Sequence, residues 1–223
     1  MTKRARGSSI VAACAASLGA MLGAFDAQPV RAQAAGGPVI YLDQAWSQAD
    51  REWYYNFSQG ATVMSYDIFL NLEVAAGQDL FRSDSISERY GLIPQSPSPA
   101  NPDGLPIGIS KTVIPAPKWR GAQTGEFAGV TCAMCHNSEL RYQGRRIRID
   151  GGNNNSLDFQ GYIHALDDAM QATLKDPAKF DRLAARLKAT GGDAKAQLRS
   201  RFESQAATTH YYATRSLPSA SLW

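Results

Sequence analysis

The stretch "GVTCAMCHNSEL", from Gly129 to Leu140, holds two of the three cysteines and one of the three histidines in this 223-residue chain. Cys132 and Cys135 stand three positions apart, one helical turn if the segment is helical, and His136 follows directly. Such a unit serves as a haem anchor, a zinc half-site or a thiol redox pair, unless it arises by chance. Zinc asks for two further ligands at comparable spacing. Beyond residue 34 the chain has no other cysteine, and His164 and His210 do not complete any familiar finger spacing. A thioredoxin-like pair follows a strand within a βαβ pattern. Here "EFAGVTCAMCHN" reads as helix, with Thr124 as its N-cap. The order Cys-x-x-Cys-His is that of c-type haem attachment, in which two thioethers hold the macrocycle and the adjacent histidine ligates iron. Cys132, Cys135 and His136 are therefore the candidate cofactor residues, His136 being the metal ligand, and one covalently attached haem c is the expected cofactor.

Haem attachment of this kind requires export, and the chain opens accordingly. Lys3, Arg4 and Arg6 precede an apolar, Ala- and Gly-rich run from Ile10 to Phe25, and Ala32-Gln33-Ala34 is a small-x-small cleavage site. Residues 1–34 are expected to be a signal peptide and residues 35–223 a single c-type cytochrome-like domain, periplasmic or secreted. An uncleaved anchor, the one route to a membrane, and a lipoprotein site at Cys14 are the other readings of this segment. Residues 1–34 carry Lys3, Arg4, Arg6 and Arg31 against Asp26, a net of +3; the whole chain is also +3, leaving the remainder near neutral. No nucleic-acid partner is expected on charge grounds.

Outward from the motif, "ELRYQGRRIRIDGG" alternates in polarity around Gln143-Gly144, which predicts a small hairpin. Upstream, "IPQSPSPANPDGLPIGISKTVIPAPKW" contains seven of the eleven prolines. That density excludes a long helix and predicts an ordered, irregular loop, or else a linker, with Ile107 to Ile114 strand-like. "SQADREWYYNFSQG" opens with a Ser47–Asp50 capping box and predicts a helix with Trp46, Trp53, Tyr54 and Phe57 in the core; "VMSYDIFLNLEVAAG" predicts another. Downstream, Ser156 as N-cap starts a helix whose apolar stripe is Phe159, Ile163, Leu166, Met170 and Leu174. Asp176-Pro177 starts the next helix, Gly191 stops it, and a last helix begins at Asp193. The fold expected is mostly α: a cytochrome c-like helical haem domain with a long Pro-rich loop and a small β-hairpin.

Candidates for the sixth iron position are His164, His210, Met170 and Met64. Each has a plainer reading, as an exposed histidine or a core methionine. Arg141, Arg145, Arg146 and Arg148 are candidates to neutralise haem propionates, or are the solvated face of the hairpin.

The segments "YLDQAWSQADREWYYNFSQG", "FAGVTCAMCHNSELRYQGRRIRIDGG" and "LDFQGYIHALDDAMQATLKDPAKFDRLAARL" resemble the front part of the large di-haem c-type cytochromes related to bacterial cytochrome c peroxidases and rubber oxygenases. The resemblance runs from about Tyr41 to Trp223. It implies that Cys132 and Cys135 hold a front haem with His136 as its proximal ligand. In the rubber-oxygenase-like members that haem binds and activates oxygen. In the peroxidase-like members two haems divide electron entry and peroxide reduction. Both schemes need a second Cys-x-x-Cys-His unit, which this sequence lacks, and "HYYATRSLPSASLW" ends on Trp223 with no closing element. A truncated front part of a longer protein is the expectation. The expected function is haem binding with electron transfer, working with a redox partner protein or a small-molecule oxidant or substrate. The alternatives are a haem-dependent oxygenase or peroxidase active only at full length, and a non-haem zinc-binding scaffold.

Overall fold

Thr131, immediately before the cysteine pair, follows a strand and caps a helix of a single turn. That junction departs from the helix expected there. The computed structural model describes residues 38–115 and 124–215. The expected leader, Trp119 and the final residues lie outside them. The elements in chain order are β1 (Val39–Tyr41), α1 (Gln48–Asn56), β2 (Met64–Ser65), α2 (Tyr66–Asn71), α3 (Asp84–Arg89), β3 (Ile109–Ile114) and β4 (Gly125–Val130), followed by α4 (Cys132–Cys135), β5 (Asn137–Tyr142), β6 (Arg145–Asp150), α5 (Phe159–Lys175), α6 (Pro177–Arg186) and α7 (Gly192–Thr214). All described residues belong to one unit of the chain, Ala34–Trp223. None of their helices is long and apolar enough to cross a membrane.

The mostly helical, cytochrome-like expectation is overturned. About 44% of the described residues are helical and about 19% extended, in two three-stranded sheets that make this an α/β architecture. One sheet has the order β1-β6-β5, with β1 parallel and β5 antiparallel to β6; the other has the order β2-β4-β3 and is antiparallel throughout. The misreading has a physical origin at Gly125–Val130. Two glycines in six residues weaken a helix by about 1 kcal/mol each. The β-branched run of β3, including Ile109, Thr112, Val113 and Ile114, offers a partner strand in full register from Ile109↔Val130 to Ile114↔Gly125. A second expected helix fails similarly: Met64–Ser65 pairs with Ala128 and Phe127, and α2 is only six residues long.

Other local signals act as written. Ser47 and Asp50 form the reciprocal capping box of α1. Asp176 caps α6 with Pro177 in its first turn. β5 and β6 form the hairpin, turning through Gln143 and Gly144 at φ 47° and 72°. Asp158, rather than Ser156, caps α5, and Gly191 begins α7 instead of ending α6.

The main core gathers Ile68, Phe69 and Leu72 around α2, Leu166 and Met170 of α5, and Phe180, Leu183, Leu198 and Phe202 of the last two helices. The Pro-rich stretch is seated on the body, with Leu92, Ile93, Leu105 and Ile107 buried. Asn101 pins it by donating to the Leu105 carbonyl at 2.8 Å and accepting from the Leu105 N–H at 3.0 Å.

Glu73 ties this core to α6. Its side chain is 2% exposed and accepts from Arg182 and Arg186, with Lys179 3.4 Å away. The Arg182 hydrogen bond is the largest influence on its carboxyl; burial opposes it, Arg186 reinforces it, and the pKa falls from 4.5 to about 2. A depressed carboxyl contributes stability that is present above its unfolded pKa and lost as pH falls through the folded one. Glu73→Ala is expected to destabilise the protein by an amount at the lower end of ~3–5 kcal/mol, because the stranded arginines are partly solvated. Glu73→Gln is expected to flatten the fall in stability from about pH 4.5 to about pH 2. Urea unfolding midpoints at pH 7 and pH 3 check both; equal pH dependence in the Gln variant and the parent would contradict the assignment.

Candidate functional site

The alternation of inward and outward residues in α4 follows from its two middle side chains. Ala133 is 1% exposed and packs with Tyr55, Ile93 and Ile107, whereas Met134 is 2% exposed and joins the main core. With those two turned inward, Cys132 and Cys135 emerge on the outer face, and His136, just past the turn, is exposed as well. Both thiols are free. All three expected site residues are thus exposed at this turn.

Backbone hydrogen bonds hold that turn from several directions. The Thr131 hydroxyl accepts from Ala133 N, and His136 N donates to the Cys132 carbonyl at 2.8 Å. Asn154 N donates to the Cys135 carbonyl at 2.8 Å, and the Asn154 amide donates to the carbonyls of Met134 at 3.3 Å and Gly91 at 2.9 Å. Gly108 lies directly beneath. At φ +88° it allows an approach in which an added Cβ would fall 2.2 Å from Met134 N.

Helix α1 supplies the side wall. The Tyr54 hydroxyl donates to the His136 carbonyl at 2.7 Å, and Gln59 Oε1 accepts from Cys132 N and faces Cys132 Sγ, both at 3.2 Å. Burial pushes the Tyr54 phenol up, and the neighbouring Cys132 and Asp150 push it further. α1 is in turn locked to the hairpin through Asp150, whose buried carboxylate pairs with Arg51 at 2.7 Å and accepts from the Tyr55 hydroxyl. Burial first, and then that hydrogen bond, push the Tyr55 phenol up. Gln44 completes the joint through the Asp150 backbone, accepting at 2.9 Å and donating at 2.7 Å.

The expectation that Trp46, Trp53, Tyr54 and Phe57 are core is corrected here. Tyr55 is the buried residue of α1. Trp53 is 62% and Phe57 55% exposed, and their rings stack with centroids 5.0 Å apart. Tyr54 and Trp46 are half-buried and meet edge to face.

The remaining candidates separate cleanly. Met64 and Met170 are fully buried in the core. His164 is exposed beside Gln160, and His210 is exposed with Nδ1 2.8 Å from Asp167. No hydrogen bond among the described residues links any of the four to the motif turn. Arg146 and Arg148 are buried on Glu139, at 2.8 Å and 2.5 Å, and so are not the solvated face they resembled. Burial pushes Glu139 up, but those two hydrogen bonds outweigh it and hold the carboxyl low. Arg141 pairs with Glu88 at 2.9 Å, and Arg145 is exposed. A small, partly open apolar pocket lies between β4 and α5, lined by residues that include Val63, Ile109, Val130, Tyr162 and Leu166.

Tyr54, Gln59, Gly108 and Asn154 were not visible as site residues in the sequence, since each meets the motif through a contact with a distant segment. Thr131 was visible in principle, being a Thr directly before the cysteine turn.

The chain is 31% identical over 177 residues to the uncharacterized protein y4iJ of Sinorhizobium fredii (strain NBRC 101917 / NGR234), an alignment covering 71% of this chain and 28% of that protein. The chain thus spans well under a third of that relative's length. No family model and no solved structure matches it.

The tightness beneath the turn is measurable. Gly144 also has positive φ, but an added Cβ there meets nothing within 4 Å. Gly144→Ala is expected to cost about 1 kcal/mol of backbone strain. Gly108→Ala adds a backbone collision and is expected to cost ~2–4 kcal/mol. Chemical denaturation of the two variants checks the order; equal losses would mean that the Gly108–Met134 approach is not restrictive.

Proposed function

We propose that this chain is a c-type haem-binding protein of the periplasm or exterior, with one haem held by Cys132, Cys135 and His136 and electron transfer as its activity. The observation that carries the reading is the geometry of the turn: two free, outward-facing thiols one helical turn apart, with an exposed histidine next in sequence. The donor set suits the group. Cys132 and Cys135 would hold the haem as thioethers, each Sγ bonding to one carbon of a vinyl group while the thiol proton passes to the other, so that attachment would consume no oxidant. The imidazole of His136 would be the protein's ligand to the iron. A bound haem would supply one-electron chemistry between ferrous and ferric iron.

This chain's own residues fix the platform. Met134 and Ala133 anchor it from below, and Tyr54 and Asn154 hold the backbone on either side. Among the described residues no three His, Cys, Asp or Glu side chains gather as metal ligands, so zinc gains no support from the structure. Oxygenase or peroxidase activity is a proposal for a longer protein. It rests on the resemblance of the three sequence segments and finds no further support in the contacts described.

The test is a pyridine haemochrome spectrum and intact mass on protein exported in a host with working cytochrome maturation. A c-type spectrum and the mass of one added haem are expected. Cys132→Ala combined with Cys135→Ala is expected to abolish covalent haem. His136→Ala is expected to disturb the Soret band of whatever haem remains attached. Wild-type protein that matures without haem would overturn the proposal.

A further inference from the structure

We propose that the stacked Trp53–Phe57 face of α1 is the cover of the tethered haem, packing against the macrocycle that Cys132 and Cys135 hold. This inference rests on the c-type attachment proposed above. Three observations point to it. The pair is exposed to 62% and 55%, and its two rings stack on each other, presenting apolar aromatic area to the surface. The pair also alternates in the chain with residues that touch the motif. Tyr54 touches the His136 carbonyl, and at about 100° per helical residue Phe57 projects about 60° from Tyr54 around α1, on the side toward Trp53. Two residues beyond Phe57, Gln59 reaches Cys132. Finally, both thiols are exposed, so a macrocycle bonded to them would lie at the surface, as the two rings do.

A flat aromatic macrocycle is the occupant that this face suits. Indole and phenyl rings offer it apolar area and offset stacking, and neither ring brings a charge that would need a counter-ion. Covering one edge of the haem removes water from it. Water stabilises the more highly charged ferric form, so exclusion favours the ferrous form and raises the potential.

Hydroxyl-radical footprinting with mass spectrometric readout tests the cover directly. The haem-loaded protein, its loading fixed by pyridine haemochrome, is compared with the Cys132→Ala/Cys135→Ala variant, with Tyr142, 63% exposed on the hairpin, as internal reference. Trp53 and Phe57 are expected to be oxidised freely in the haem-free variant and several-fold more slowly in the loaded protein, with Tyr142 unchanged. In loaded Trp53→Ala/Phe57→Ala protein, the midpoint potential is expected to fall and the Soret circular dichroism to change while haem content stays the same. Full haem content with undiminished oxidation of Trp53 and Phe57 would overturn the cover and leave the attachment standing. Protection that grows with protein concentration would mark a second copy on this face and would also overturn it. Absence of haem would remove the attachment and the cover together.

Discussion

Burial of Ala133 and Met134 is the constraint on which the site depends. A four-residue helix has no stability of its own, since nucleation is unfavourable and four residues make too few hydrogen bonds to offset it. What holds Cys132–Cys135 in helical form is a middle pair with no alternative but the interior: one side chain in the small cluster around Tyr55 and Ile107, the other in the main core. The flanking residues are then displayed outward as a consequence. The strand before and the hairpin after arrive at this turn with fixed registers, so its position is set by both sheets.

Buried carboxylates do for the periphery what Met134 does for the turn. Glu73, Glu139 and Asp150 each gather cations or hydroxyls from elements distant in sequence. A carboxylate removed from water is costly unless it is paired and hydrogen-bonded. Each therefore selects a single arrangement: α6 against the Glu73 segment, the two arginines of β6 against Glu139 of β5, and α1 against the end of β6. The arginines at 146 and 148 show the same economy. They neutralise a charge within their own hairpin, which leaves Arg145 as the member of the group without a described ion-pair partner.

The sequence was most legible where the signal was local. The Ser47 capping box, Asp176-Pro177 and the Gln143-Gly144 turn depend on neighbours within a few residues, and each appears where its chemistry puts it. The Cys-x-x-Cys-His triple is local too, and its spacing is readable for the same reason; its chemistry rests on the proposal above. What escaped was set by partners far along the chain. Gly125–Val130 is a strand because β3 exists to receive it, and Trp53 and Phe57 face outward because Tyr55 alone takes the inward direction of α1. Aromatic residues at helical spacing look identical in sequence whether they fill a core or await a ligand. The wall of the site, Tyr54 and Gln59, is recognisable only in three dimensions.

The link from Tyr54 to His136 spans 82 residues, and that from Tyr55 to Asp150 spans 95. Closing loops of that length carries an entropic cost. The wall of the cysteine turn is therefore made by contacts that exist only when distant parts of the chain are folded together. Unfolding either end of these links, α1 or the end of β6, would release the wall while leaving the turn's own local hydrogen bonds in place.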